Sequence, residues 1–180
     1  EGIPHPNRWQ SDIIGYETML RVDPRDAELH DDVALLYLGM GQAAPAVRHF
    51  EASVALKPES AAAHFNLGTA LAQAGRLADA VAAFRAALER RPAYALAHNN
   101  LGQVMLAQGK TGDALKHLQE AVRLDAVNPQ ALFGLAGAYA AVGSYDLAIE
   151  ATDRALKLPL PEALAQLIRA KREQYLKRRP

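Results

Sequence analysis

A 34-residue pattern recurs without gaps through most of this 180-residue chain. Four consecutive segments align, and they span residues 27–60, 61–94, 95–128 and 129–162. In every segment the fifteenth position is glycine and the twentieth is alanine. A period of this length is typical of stacked supersecondary units, each of which buries its apolar face against its neighbours. The sequence therefore predicts a quasi-one-dimensional array of repeats.

The hydrophobic periodicity inside each segment predicts two helices joined by a short turn. Positions 4, 7, 8 and 11 fall on one helical stripe, and positions 20, 21, 24, 27 and 28 fall on another. Small residues at positions 8, 20 and 27 let the two helix backbones approach closely, while bulky residues beside them fill the gaps. The glycine at position 15 lets the first helix end in a left-handed conformation, and Pro58 and Pro92 stop the second helix.

Together these residues resemble the tetratricopeptide repeat (TPR) family. The resemblance rests on the residues at positions 8, 15, 20 and 24, which are Ala34, Gly68, Gly102 and Ala136; Gly41, Gly75, Gly109 and Gly143; Ala46, Ala80, Ala114 and Ala148; and Phe50, Phe84, Leu118 and Thr152. It implies an all-α, right-handed α-solenoid of helix-turn-helix repeats. The sequence departs from the family pattern at Thr152, where an aromatic residue is expected, and at Ala126 and Leu160, where proline is expected.

The two ends of the chain extend the array. In residues 1–26, a helix at 7–23 continues the register as the second helix of a partial repeat, with Trp9, Tyr16, Met19 and Leu20 on its inner positions. Because no first helix precedes it and the chain begins with Glu1, we interpret the sequence as a fragment of a longer protein. Residues 163–180 are predicted to form a capping helix and a basic tail. We expect Leu164, Leu167, Ile168 and Tyr175 to face the stack while the basic residues face water.

Composition excludes several functional classes. The formal net charge is zero, whereas a nucleic-acid-binding domain usually carries a basic excess. The chain has no cysteine, which excludes disulfides, zinc–thiolate sites and a catalytic thiol. Its apolar stretches are too short to span a membrane, so we expect a soluble protein without nucleic-acid or membrane partners. The compartment stays open between cytoplasm and periplasm.

Charge is distributed unevenly between the ends. Residues 1–34 carry eight acidic and three basic side chains, and residues 163–180 carry six basic and one acidic. Such runs are usually solvated surfaces, so we expect a monomer. Head-to-tail self-association through the oppositely charged ends remains the alternative.

No residue pattern indicates catalysis, a cofactor or a metal centre. His30, His64 and His98 occupy position 4 of successive repeats, which are on the order of 10 Å apart, too far for a shared ion. His49 and His117 share position 23 but belong to repeats farther apart. We therefore interpret the histidines as packing residues. The chain also lacks phosphate-binding glycine loops and nucleophile motifs, so we expect no enzymatic activity from these residues.

The TPR resemblance implies that the first helices line a concave groove with positions 2, 5, 6, 9, 12 and 13. These positions are acidic at the N-terminal end, at Glu28, Asp31 and Asp32, and rich in amides and apolar residues farther along. None of them is Lys or Arg, so we predict that the groove is not of the type that clamps a C-terminal carboxylate. Gly134 and Gly137 lie within the first helix of the fourth repeat, and alanine at both positions is expected to stabilise that helix.

Asn66 and Asn100 occupy position 6 of adjacent repeats. A primary amide can pair with both polar groups of a peptide bond, and the arrangement is similar to the asparagine ladder of O-linked N-acetylglucosamine transferases. The remaining candidate peptide-binding residues are polar or apolar neighbours in the groove: Asn99, Thr69, Gln103, Phe65, Phe133 and Leu35. The competing interpretation is that asparagine is common at this position of the repeat and binds no ligand.

The sequence therefore predicts a protein-interaction module that holds an extended peptide or a helix of a partner of unknown identity. Two other hypotheses stay open. In the first, the repeats are a recruitment domain that packs on a neighbouring domain of a larger protein, such as an enzyme. In the second, they are a scaffold that self-assembles through its oppositely charged ends.

Overall fold

The structure, a computed structural model, describes residues 6–179, with side chains from Gln10 onward. Trp9, which was predicted to lie on an inner position of the first helix, therefore falls outside the described side chains. Residues 6–179 form ten α-helices and no strand. The helices divide into two compact units, with the boundary between Pro92 and Ala93.

The N-terminal unit contains one single helix followed by two helix pairs. Consecutive helices pack against each other along this unit. Its helices are α1 (Pro6–Val22), α2 (Ala27–Gly39), α3 (Ala43–Leu56), α4 (Ala61–Gln73) and α5 (Leu77–Arg90).

The C-terminal unit contains two helix pairs followed by one single helix. Here α6 also packs on α8, in addition to the contacts between consecutive helices. Its helices are α6 (Ala95–Ala107), α7 (Thr111–Leu124), α8 (Pro129–Ala141), α9 (Tyr145–Leu156) and α10 (Glu162–Arg178).

Local sequence signals determine where the helices begin and end. Side-chain oxygens of Asp26, Ser60 and Asn128 accept hydrogen bonds from backbone N–H groups in the first turns of α2, α4 and α8. These caps satisfy donors that have no partner inside the helix. The turn within each pair contains one glycine with a positive φ of 72° to 76°. The predicted left-handed turn conformation is thus confirmed at Gly41, Gly75, Gly109 and Gly143.

The two helices of a pair meet where a small residue faces a large one. A Cβ added to Gly68 would lie 2.7 Å from ring atoms of Phe84, and one added to Gly102 would lie 2.6 Å from Cγ of Leu118. Both large side chains are fully buried. At the same position of the last pair, buried Thr152 replaces the expected aromatic residue, and its hydroxyl donates to the carbonyl of Ile149 at 2.7 Å. That bond satisfies the polar group in a dry environment.

The two flanking helices correct two expectations. In α1, Ile13 and Leu20 are buried, but Met19 is 55% exposed instead of facing the next helix. In α10, Ile168 and Tyr175 are buried as expected, whereas Leu167 is 48% exposed. Both differences follow from the helical period, because Met19 and Leu167 each lie next to a buried residue, about 100° around the helix from it. Within residues 6–179, no helix has both the length and the apolar character needed to cross a membrane.

Candidate functional site

Three helices of the C-terminal unit line an open pocket of about 530 Å³. This volume falls in the range of about 300–1,000 Å³ that is typical of ligand sites. Helices α6 and α8 contribute residues at predicted groove positions, and α10 contributes two more: Gln103, Leu106, Gln130, Phe133, Gly134, Gly137, Lys171 and Tyr175. Of the candidate residues named from the sequence, Gln103 and Phe133 line this pocket.

Two glycines of α8 leave space on one side of the pocket. A Cβ added to Gly137 would have no neighbouring atom within 4 Å, so this position opens into free space. A Cβ added to Gly134 would lie 3.0 Å from Cδ2 of Leu118 and 3.5 Å from Oδ1 of Asn99. Gly134 is therefore explained by packing between helices, whereas only Gly137 is free to accept a side chain or a ligand.

A chain of three amides runs along α6 beside the pocket. Gln103 donates to Oδ1 of Asn99, and Asn99 donates to Oδ1 of Asn100, both at 3.1 Å. Asn99 is buried, so it orients its two neighbours instead of meeting a ligand directly. Among the described residues, neither Nδ2 of Asn100 nor Oε1 of Gln103 has a hydrogen-bond partner. The chain thus offers one donor and one acceptor, which is the complement of a peptide group.

Helix α10 supplies pocket residues that the sequence analysis assigned to a cap. Tyr175 is buried, and burial raises the pKa of its hydroxyl. Lys171 is half-buried, and its Nζ donates to Oε1 of Gln174 at 3.4 Å. Lys171 lines the pocket, while its ammonium group forms this hydrogen bond at an exposed position, as expected for a basic residue that faces water. The groove positions of the first helices do lack Lys and Arg, but α10 adds a cation from outside the repeat pattern.

Bonds from α10 to α9 hold this helix in place. The guanidinium of Arg172 donates to both carboxylate oxygens of Asp153, at 2.5 Å and 3.3 Å. Arg179 forms an ion pair with Asp146 at 2.7 Å. The pairing raises the pKa of Arg172, chiefly through its hydrogen bond to Asp153. These contacts help to fix Lys171 and Tyr175 at the pocket.

The candidate residues of the N-terminal unit are in varied environments. Leu35 is 52% exposed, as expected for a groove residue. The ring of Phe65 packs on Phe84, with ring centroids 5.8 Å apart, so much of its surface serves the core. The hydroxyl of Thr69 donates to the carbonyl of Phe65 at 3.0 Å, which leaves it able only to accept. Asn66 is half-buried on the same helix.

Two sequence expectations for the groove are changed or remain open. Asn66 and Asn100 belong to different units, so the asparagine ladder stays a prediction. Asp31 was expected to face the groove, but its Oδ1 is buried. Burial raises the pKa of Asp31, and the neighbouring Ser53 hydroxyl opposes this effect. Since Ser53 is a fully buried residue of α3, Asp31 points toward the contact between α2 and α3.

The histidines of the repeats are half-buried, as expected for packing residues, but the structure also places four of them in pairs. Position 4 of a repeat meets position 23 of the same repeat, so His30 pairs with His49 and His98 pairs with His117. Comparing equal positions of successive repeats missed these contacts. In the described part of the chain, no group of three or more His, Cys, Asp or Glu side chains has the geometry of a metal site.

Comparison with known proteins relates this helix arrangement to a family. The family model described as "Tetratricopeptide repeat" matches three overlapping segments, residues 33–95, 74–129 and 99–163. These matches together extend over more than half of the chain. No curated protein sequence matches it.

Several solved structures have the same fold. The crystal structure of MamA has 24% sequence identity and a TM-score of 0.76, and the match covers 83% of this chain and 87% of MamA. TTC0263, a thermophilic TPR protein of Thermus thermophilus, has 23% identity and a TM-score of 0.74, with 94% and 91% covered. YrrB, a TPR protein with an unusual peptide-binding site, has 20% identity and a TM-score of 0.72, with 91% and 84% covered. These similarities agree with the predicted all-α helical-repeat fold.

Proposed function

Because this chain belongs to the tetratricopeptide repeat family, we propose that it is a protein-interaction module whose C-terminal unit binds an extended peptide. The observation that carries this proposal is the pocket of about 530 Å³ at the groove positions of α6 and α8. An apolar side chain of the peptide enters the pocket, where it contacts Leu106, Phe133 and Tyr175. Similarity to YrrB, a TPR protein with an unusual peptide-binding site, supports this choice of ligand.

The peptide backbone pairs with the amides of α6. Asn100 offers a donor and Gln103 an acceptor, and buried Asn99 holds both in orientation. Such preorganised groups lose little conformational entropy on binding. The small, polar interface must still order a flexible ligand, so we expect an affinity in the micromolar range.

Lys171 adds a preference for an acidic group close to the apolar side chain. It is a cation on the pocket lining, and no Lys or Arg occupies a groove position of the first helices. A single lysine on the capping helix is not equivalent to the basic groove residues that form a carboxylate clamp. The prediction that the groove does not bind C-terminal tails as a carboxylate clamp therefore remains.

A screen against a random peptide library tests this function. Gly137→Leu is the key variant, because a Cβ at this position meets no atom within 4 Å and the rest of the leucine side chain would occupy the pocket. Leucine also favours helix, so the variant should fold at least as well as the original. We expect the peptides enriched by the original chain to be lost with Gly137→Leu and weakened with the Asn66→Ala/Asn100→Ala double variant.

The exposed loop residue Val127 provides a control, because Val127→Ser lies outside the pocket lining and should leave enrichment unchanged. Equal enrichment by the original chain and Gly137→Leu would reject the pocket as the binding site. Equal enrichment by the original chain and the double variant would show that the two asparagines do not contribute to binding, and it would leave the pocket as the binding site.

Self-assembly through the charged ends has weaker support. Of the six basic residues in the tail, Arg169, Arg172 and Arg179 form ion pairs within the C-terminal unit. These pairs reduce the charge available to a second molecule. A monomeric state therefore remains our prediction.

A further inference from the structure

Two histidine pairs join the helices of the first and third repeats. Nδ1 of His30 lies 3.1 Å from Nδ1 of His49, across the contact between α2 and α3. Nδ1 of His98 lies 3.0 Å from Nδ1 of His117, across the contact between α6 and α7. The ring centroids are 5.3 Å and 5.2 Å apart, so the two pairs have nearly the same geometry. Neither pair shares a residue with the proposed peptide pocket.

The hydrogen bonds of His30 determine which ring nitrogen carries its proton. Nε2 of His30 lies 3.2 Å from the carbonyl oxygen of Pro24. A carbonyl can only accept a hydrogen bond, so Nε2 carries the hydrogen and Nδ1 of the neutral ring presents a lone pair to His49. A histidine whose outer N–H donates to a backbone carbonyl has the arrangement found behind metal-ligating histidines, because that bond orients the ring and raises its basicity.

The distance between the paired nitrogens suits two ligands of one ion. With metal–nitrogen bonds of about 2.0–2.1 Å, neighbouring ligands lie about 2.9 Å apart in a square plane and about 3.4 Å apart in a tetrahedron. The observed 3.0 Å and 3.1 Å lie between these values. We infer that each histidine pair binds one divalent transition-metal ion of the zinc and copper class, with both Nδ1 atoms as ligands and water completing the coordination.

Binding requires no loss of a proton from the pair. The hydrogen on Nδ1 of His49 moves to Nε2 of the same ring, so both imidazoles remain neutral ligands.

A carboxylate lies within electrostatic range of each pair. Glu17 acts on His49 in the N-terminal unit and also accepts a hydrogen bond from Tyr37, whose ring stacks on His49. In the C-terminal unit, Glu120 lies within electrostatic range of His98 and forms an ion pair with Arg123 at 2.6 Å. Arg48 also acts on His49, so the charge near both pairs is mixed and the two Nδ1 atoms alone carry the assignment.

The second repeat provides a control within the same chain. His64 occupies the same position as His30 and His98, and its Nε2 lies 2.9 Å from the carbonyl of Pro58. Position 23 of that repeat is Ala83, so His64 has no second imidazole opposite it from that position. If two nitrogens are required, His64 contributes no site.

The experiment is a titration of the untagged chain with Zn²⁺, followed by calorimetry and by thermal unfolding. We expect two equivalents to bind and the unfolding temperature to rise with zinc concentration, because each ion links two helices of the folded state only. His49→Ala and His117→Ala should each lose one equivalent and keep the other. The remaining equivalent shows that each variant is folded. His64→Ala should still bind two.

Three results would overturn the inference. The first is the absence of both zinc binding and a thermal shift at millimolar zinc. The second is an unchanged zinc stoichiometry in both His49→Ala and His117→Ala. The third is that His64→Ala loses as many zinc equivalents as His49→Ala. If only one paired variant loses an equivalent, the assignment is rejected for the other pair.

Discussion

Helices α1 and α10 flank their units in different ways. Helix α1 buries Ile13 and Leu20 but exposes the apolar side chains of Ile14, Met19 and Val22. Helix α10 buries Ile168 and Tyr175 and is joined to α9 by the Arg172–Asp153 and Arg179–Asp146 pairs. Helix α10, which departs from the repeat pattern, brings Lys171 and Tyr175 to the pocket. A repeat array can thus acquire binding groups from a flanking helix without changing the repeat itself.

The largest expected effect tests whether α10 is the more firmly anchored of the two. Ile168→Ala removes a fully buried side chain and should lower the free energy of unfolding by about 2–5 kcal/mol. Ile13→Ala in α1 should cost less, because a helix with much exposed apolar surface can relax around the deletion. Denaturant unfolding followed by circular dichroism measures both values. Equal losses would show that the two flanking helices are anchored alike.

A smaller effect of opposite sign distinguishes packing from open space at the pocket. Gly137→Ala should raise the free energy of unfolding by about 0.5–1 kcal/mol, since alanine favours helix and its Cβ meets nothing. Gly134→Ala should gain less or lose stability, because Leu118 must move. The same denaturation experiment compares the two. Equal stabilisation of both variants, which helix propensity alone predicts, would show that the Leu118 side chain moves aside without loss of stability.

The smallest expected effect concerns the ion pairs of α10. Arg172→Ala should lower stability by less than either change above, and the loss should diminish at high salt, because the pair with Asp153 is partly exposed. Lys57→Ala, which removes a more exposed pair with Glu28 in the N-terminal unit, should produce no measurable change. Thermal unfolding at low and high salt makes the comparison. A loss after Arg172→Ala that does not respond to salt would indicate packing by the arginine side chain instead of charge.

The parts of the fold that depend on local chemistry were predictable from sequence. Asp26 caps α2 and the four turn glycines adopt positive φ, and each of these features depends on residues adjacent in the chain. Gln103 and Phe133 could be named as groove residues because the repeat register assigns them to one face of a helix.

The remaining features depend on contacts that the register does not describe. Helix α10 breaks the repeat pattern, so nothing in the alignment indicated that Lys171 and Tyr175 line a pocket. The histidine pairs were missed because the alignment compares one position across repeats, whereas His30 and His49 occupy different positions of one repeat. Asp31 was assigned to the groove by its position alone, but its carboxyl turns toward buried Ser53. Knowing which positions of the two helices meet would have been enough to predict the histidine pairs.

The four glycine turns have a consequence for chirality. Each has a φ of 72° to 76°, and a Cβ added there would meet nothing within 4 Å. The turns therefore favour glycine because of their positive φ, and not because a side chain would lack space. D-alanine prefers positive φ as L-alanine prefers negative φ, so a synthetic chain with D-alanine in place of Gly75 would keep the turn. It would also have fewer unfolded conformations to lose on folding, so one mirror-image residue would stabilise a fold made of L-amino acids.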